Sequence, residues 1–103
     1  MLRDAVARLR RLTGPDAHMD AVFTMEAIAR AMRDAGDWDL AGWAAGQMME
    51  YDASYAGSHF ASALALEHAG NATGARTAFA AAARLWSSAD PDLPELQIAK
   101  QKS

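Results

Sequence analysis

The stretch Ala35, Gly36, Asp37, Trp38, Asp39, Leu40, Ala41 returns as Ala69, Gly70, Asn71, Ala72, Thr73, Gly74, Ala75, with the two leading glycines 34 residues apart. In both copies an apolar-periodic segment runs into glycine, then into Asp or Asn, then into a new segment. Glycine adopts the left-handed conformation that ends many helices, and an Asp or Asn side chain accepts a hydrogen bond from the first free amides of the next one. The stretch therefore predicts helix, sharp turn, helix, written twice. A fixed period of this length is that of stacked helical pairs.

Upstream of the first copy, Met19, Val22, Phe23, Met25, Ile28 and Met32 crowd one broad face, with Glu26, Arg30 and Arg33 opposite. That spacing predicts a helix from near Ala17 to Gly36, with Asp16 as its cap after the break at Thr13, Gly14 and Pro15. Before the break, Leu2, Val6, Leu9 and Leu12 predict a short amphipathic helix over 2–12 with arginines outside. After Asp37, helical spacing continues to about Asp52, and Ser54 is the expected cap of a helix carrying Phe60, Ala63, Leu64 and Leu66. Asn71 opens another, carrying Ala75, Phe79, Ala82, Leu85 and Trp86. Asp90 and Pro91 announce a last helix over 91–101 with Leu93, Leu96 and Ile98, for which Pro94 marks an alternative start. No segment alternates with a period of two, so the fold class is all-α, with about six helices in one domain spanning 1–103.

Half of the 103 residues are apolar, but so many are alanine that the few large side chains must fill the core. A net charge of −3 with mixed signs lacks the concentrated basic patch that nucleic acid requires. Without cysteine there is neither a disulfide nor a thiol nucleophile, which agrees with a cytoplasmic location. No apolar run approaches the roughly 20 residues that span a bilayer, so no membrane partner is expected.

These residues resemble the tetratricopeptide repeat, a helical pair seen in many small bacterial proteins. Repeat one would be 22–55 and repeat two 56–89, with the small mid-helix residues matched by Ala29 and Ala63 and the turn glycines by Gly36 and Gly70. Ala41 and Ala75 match the alanine opening each second helix, and Phe79 and Ala82 the bulky and small residues further along it. Repeat one departs from the pattern, with Ala45 in the bulky place and Met48 in the small one; Ala53 and Ser87 stand where a closing proline is usual. The resemblance implies antiparallel helical pairs stacked as a short right-handed superhelix, closed by the 91–101 helix as a cap. Bulky and small residues alternate in such stacks because helices cross closely only where side chains are small.

No catalytic constellation emerges. His18, His59 and His68 form no pair at the spacing that puts two metal ligands on one helix face, no serine sits in a nucleophile elbow, and no phosphate loop is present. His59 is expected to be partly buried and hydrogen-bonded, and His68 to lie at the surface near its helix end. The expectation is a protein with no enzymatic activity, no metal and no cofactor. The resemblance implies a scaffold that holds a peptide or protein segment in a concave groove, lined by Phe23, Glu26, Arg30 and Arg33 from repeat one and Phe60, Leu64, Glu67 and His68 from repeat two. Chaperone-tail-binding members hold a carboxylate there with lysines and asparagines, a set this chain lacks. The alternative class is a structural module acting as a homodimer or as the end of a longer array. Gly42 and Gly46, each costing about 1 kcal/mol inside a helix, together with Trp43 mark a second surface where a close approach is expected.

Overall fold

The local chemistry of the two glycine turns sets the architecture. In the computed structural model, which describes residues 3–4, 15–86 and 92–103, five helices follow one another: α1 (Pro15–Asp34), α2 (Trp38–Tyr51), α3 (Ala56–His68), α4 (Ala72–Leu85) and α5 (Pro94–Lys102). Gly36 and Gly70 have φ of 78° and 86°, the left-handed region that a side chain would strain. At the first turn the Gly36 amide donates to Arg33 O and the Asp37 amide to Met32 O; at the second, Gly70 donates to Glu67 O and Asn71 to Leu66 O. Each is the paired bond pattern that satisfies the last carbonyls of a helix. Asp37 and Asn71 then cap the next helix, Oδ1 accepting from the Leu40 amide at 3.2 Å and from the Gly74 amide at 2.9 Å. Even the cap backbones match, at φ −89°, ψ 78° and φ −86°, ψ 79°.

Elsewhere the helix ends differ from expectation. Asp16 is itself helical, as is Pro15 before it, so it lies inside α1 rather than capping it. Ser54 does not cap α3. Its amide and hydroxyl both turn back to Asp52 Oδ1, and Tyr55 occupies the cap position without a side-chain bond. Ser58, fully buried one turn into α3, ties this corner instead by donating to the Asp52 carbonyl at 2.8 Å. α5 begins at Pro94, and Leu93 before it is extended, as a residue preceding proline prefers. The expected helix over 2–12 lies outside the described residues apart from residues 3 and 4, which are helical, and so do Asp90 and Pro91.

Each helix packs against the next, and α1 also packs against α3. Directions follow from side-chain pairs. His18 near the start of α1 reaches Asp52 just past the end of α2, and Trp38 at the start of α2 stacks on His68 at the end of α3. Phe60 near the start of α3 meets Trp86 just past the end of α4. Consecutive helices are therefore antiparallel and α1 and α3 run the same way. α5 shares their sense, since Lys102 at its end pairs with Glu67 at the end of α3.

The core has two centres. Ala21, Met25, Ala29, Ala44, Ala45, Met48 and Ala61 form one between α1, α2 and α3; Phe60, Ala63, Ala75, Phe79, Ala82 and Ala99 form the other between α3, α4 and α5. The departure noted in repeat one is a swap. Ala45 and Met48 occupy the places of Phe79 and Ala82, all four are buried, and each pair supplies one large and one small side chain. Volume is conserved at the crossing although its order is reversed. Ala29, Ala41, Ala63, Ala75 and Ala82 are all buried. Ala63, with no exposed surface, has no room to grow: Ala63→Leu is expected to cost about 1 to 3 kcal/mol by overpacking, read as a lowered melting temperature, and an unchanged melt would place the side chain outside the crossing.

Phe79, with Trp86 packed beside it, shares a cluster with Ala99 of α5, whereas Leu85 stays 37% exposed. From α5, Leu96 and Ala99 are buried while Ile98 is 38% exposed. Ala99 joins the second core centre, and Ile98, one position before it on α5, lies on a different face of the helix. Among the described residues no helix is long and apolar enough to cross a membrane.

Candidate functional site

Between α1, α3 and α5, the three helices that run the same way, lies a trough of about 430 Å³. Glu26, Arg30 and Arg33 line it from α1, three and four residues apart and so on one face. From the other side come Tyr55 and, on α3, Gly57, Phe60, Ala61 and Leu64. Trp86 closes the floor at the end of α4, and Leu93, Pro94, Glu95 and Ile98 form the far wall.

Five of the eight residues expected in the groove, Glu26, Arg30, Arg33, Phe60 and Leu64, line this trough. The other three do not. Phe23, 50% exposed, lies one turn before Glu26 with its ring edge-on to Tyr55 at 5.9 Å. Glu67 is drawn to Lys102 at 2.9 Å, and the exposed His68 ring stacks on Trp38 with centroids 4.0 Å apart, at the opposite end of α3 from Tyr55. The period places a residue along its helix, but the stacking of neighbouring helices decides which turn faces the trough. Tyr55, Gly57 and Trp86 were invisible as trough residues because each sits at or near a helix end, where face assignment from periodicity fails. Leu93 and Ile98 carried a signal, their apolar character, that pointed to the core instead.

The polar groups are unevenly occupied. Tyr55 OH donates to Glu26 Oε1 at 2.8 Å. Burial and then the hydrogen bond to the Glu26 carboxylate push the tyrosine hydroxyl well above its usual range, so it remains a donor at neutral pH. Gly57 makes this contact feasible: a Cβ there would collide with the Glu26 carboxylate and the Tyr55 ring. Burial, and after it the neighbouring charge of Arg30, pull the half-buried Arg33 below its ordinary range, which still leaves it cationic at neutral pH.

No protein family, curated protein or solved structure matches the chain. Its chemistry therefore stands on the geometry alone.

The other candidates separate from the trough. His59 is half-buried and donates from Nε2 to the Ala53 carbonyl at 2.7 Å. His18 donates from Nε2 to Asp52 Oδ2 at 2.9 Å and stacks on Tyr51. The His18 bond and then the Ser54 hydroxyl hold the Asp52 carboxyl below its usual range. Ser54 bonds the carboxylate and not the imidazole, so the three groups form a clasp between α1 and the α2 end and not a nucleophile with its base. Gly42 and Gly46 do not support the expected close approach among the described residues: a Cβ at Gly42 would rest 3.8 Å from Ala65 Cβ, ordinary contact, and one at Gly46 would meet nothing within 4 Å. They open a shallow hollow between α2 and α3 instead. Trp43 beside them is half-buried, with the Arg3 guanidinium 5.2 Å above its ring.

Proposed function

We propose that this chain is a short tetratricopeptide-like stack that binds an extended segment of another protein in the trough between α1, α3 and α5. The supporting observation is the trough itself, a depression between like-running helices with apolar residues on α3, at Trp86 and on α5, and charged groups on α1 and at Glu95. Such a surface suits a chain laid lengthwise, whose backbone stays in solvent while alternate side chains enter, and two or three seated side chains supply most of the affinity. The 34-residue period and the twice-written turn chemistry support the tetratricopeptide comparison. The cysteine-free sequence fits action in the cytoplasm.

The test is selection of binders from a random peptide display library on the full chain, followed by chemical-shift mapping. Backbone and indole resonances of Arg30, Leu64 and Trp86 are expected to move together on titration. Binders that instead perturb only the hollow at Gly42 and Gly46 would overturn the trough as the docking face, as would a selection that yields no binder.

A further inference from the structure

Arg30 and Arg33 both line the trough, and neither has an ion-pair partner among the described residues. This is unexpected from α1 alone. Glu26 lies four residues before Arg30, the spacing and order at which a carboxylate and a guanidinium pair favourably along a helix. Glu26 is diverted across to Tyr55, and the missing side chain at Gly57 gives its carboxylate the room to sit there. Two cations are thus left side by side at the trough's edge, with Arg33 half-buried. Like charges close together and short of water gain from an anion, most of all from one whose two oxygens match the guanidinium fork.

The rest of the lining narrows the anion. Glu26 and Glu95 also border the trough, so its four charged groups cancel and a polyanion would meet as much repulsion as attraction. Next to the arginines stand Phe60, Leu64, Trp86 and Ile98, an apolar wall on which a bulky side chain can rest.

We propose that Arg30 and Arg33 recognise an Asp or Glu side chain of a protein segment that places a bulky apolar residue beside it against Trp86 and Ile98, and that Tyr55 is a positioning residue that keeps Glu26 off Arg30. The inference rests on the trough being the docking face. It adds that the acidic group of the partner is required, and that the chain's own carboxylate would compete for the arginines if Tyr55 released it.

The selected peptides test both parts. Sequences enriched on the full chain are expected to carry Asp or Glu next to Leu, Ile, Met or Phe, and the enrichment in acidic residues is expected to vanish on Arg30→Gln/Arg33→Gln. For the tightest trough binder, with both ends blocked, changing its acidic residue to the amide should weaken binding about tenfold or more, the scale of one charged hydrogen-bonded contact. Tyr55→Phe, which removes only the hydroxyl, should weaken it several-fold, and Glu26→Gln added to Tyr55→Phe should restore it, since an uncharged amide competes far less than a carboxylate for the arginines. Thermal melts establish that each variant is folded. Peptides that map to the trough but show no acidic preference would overturn the arginine assignment and leave the docking face standing, whereas absence of any trough binder would remove the docking face and this inference with it. Undiminished binding by Tyr55→Phe, or a loss that Glu26→Gln does not restore, would overturn the positioning role.

Discussion

A chain lacking residues 92–103 is expected to melt more than about 10 °C below the full chain and to associate on light scattering. The segment carries α5, which packs on α4 and buries Leu96 and Ala99. Its Lys102 stem also reaches over the Phe79 ring, with Nζ 5.6 Å from the centroid. Losing the burial of one leucine costs about 1.5 to 3 kcal/mol, and uncovering part of Phe79 and Trp86 adds a comparable amount. Against a typical stability of about 5 to 15 kcal/mol, that removes a large share, and each kcal/mol moves the melting temperature by about 4 to 8 °C in a domain of this size. The uncovered apolar face is what would drive association. The Lys102–Glu67 pair contributes little to this loss, being exposed on both sides. A truncated chain that stays monomeric and melts with the full chain would show that α5 merely rests on the fold.

Phe79→Ala is expected to cost about 3 to 5 kcal/mol, the largest effect of any single substitution in the second core centre. Phe79 is among the largest fully buried side chains and meets Phe60 edge-on, ring centroids 5.9 Å apart. Besides Phe60, the buried residues of this cluster are alanines, Ala75 and Ala82 from its own helix, Ala63 from α3 and Ala99 from α5, which have no side-chain length with which to collapse into the space. A cavity that cannot be refilled carries the upper end of the penalty. Chemical denaturation of both proteins measures it, the slope being unchanged if only stability has altered. A loss under about 1 kcal/mol would mean that Phe60 swings into the gap or that the helices close over it. The swapped positions offer an internal comparison: Met48→Ala removes the corresponding bulk from the first core centre and should cost about 2 to 5 kcal/mol.

How much of this molecule was legible in its sequence depends on the range of the interaction concerned. Gly36 with Asp37 and Gly70 with Asn71 fixed two turns because all the bonds involved close within a few residues, and chemistry that local is carried by residue type and spacing. The buried alanines were legible for the same reason, periodicity being a property of one helix at a time. Ser54 shows where local inference stops: a serine before a helix is a good cap, but Asp52 two residues earlier offered its hydroxyl and amide a better acceptor.

The site was less legible. Arg30, Arg33 and Leu64 lie on the faces of their helices that line the trough, yet Phe23, Glu67 and His68, named with them from the same resemblance, fall outside it. The sequence by itself determined helix identity, the two sharp turns and the small residues at which helices cross, since each follows from backbone geometry and side-chain size within one or two turns. Only the tertiary structure decided which charges remain unpaired. Glu26 and Tyr55 are 29 residues apart, and whether that carboxylate turns along α1 to Arg30 or across to α3 depends on the distance between two helix axes and on the absence of a Cβ at Gly57, which no single-helix pattern encodes.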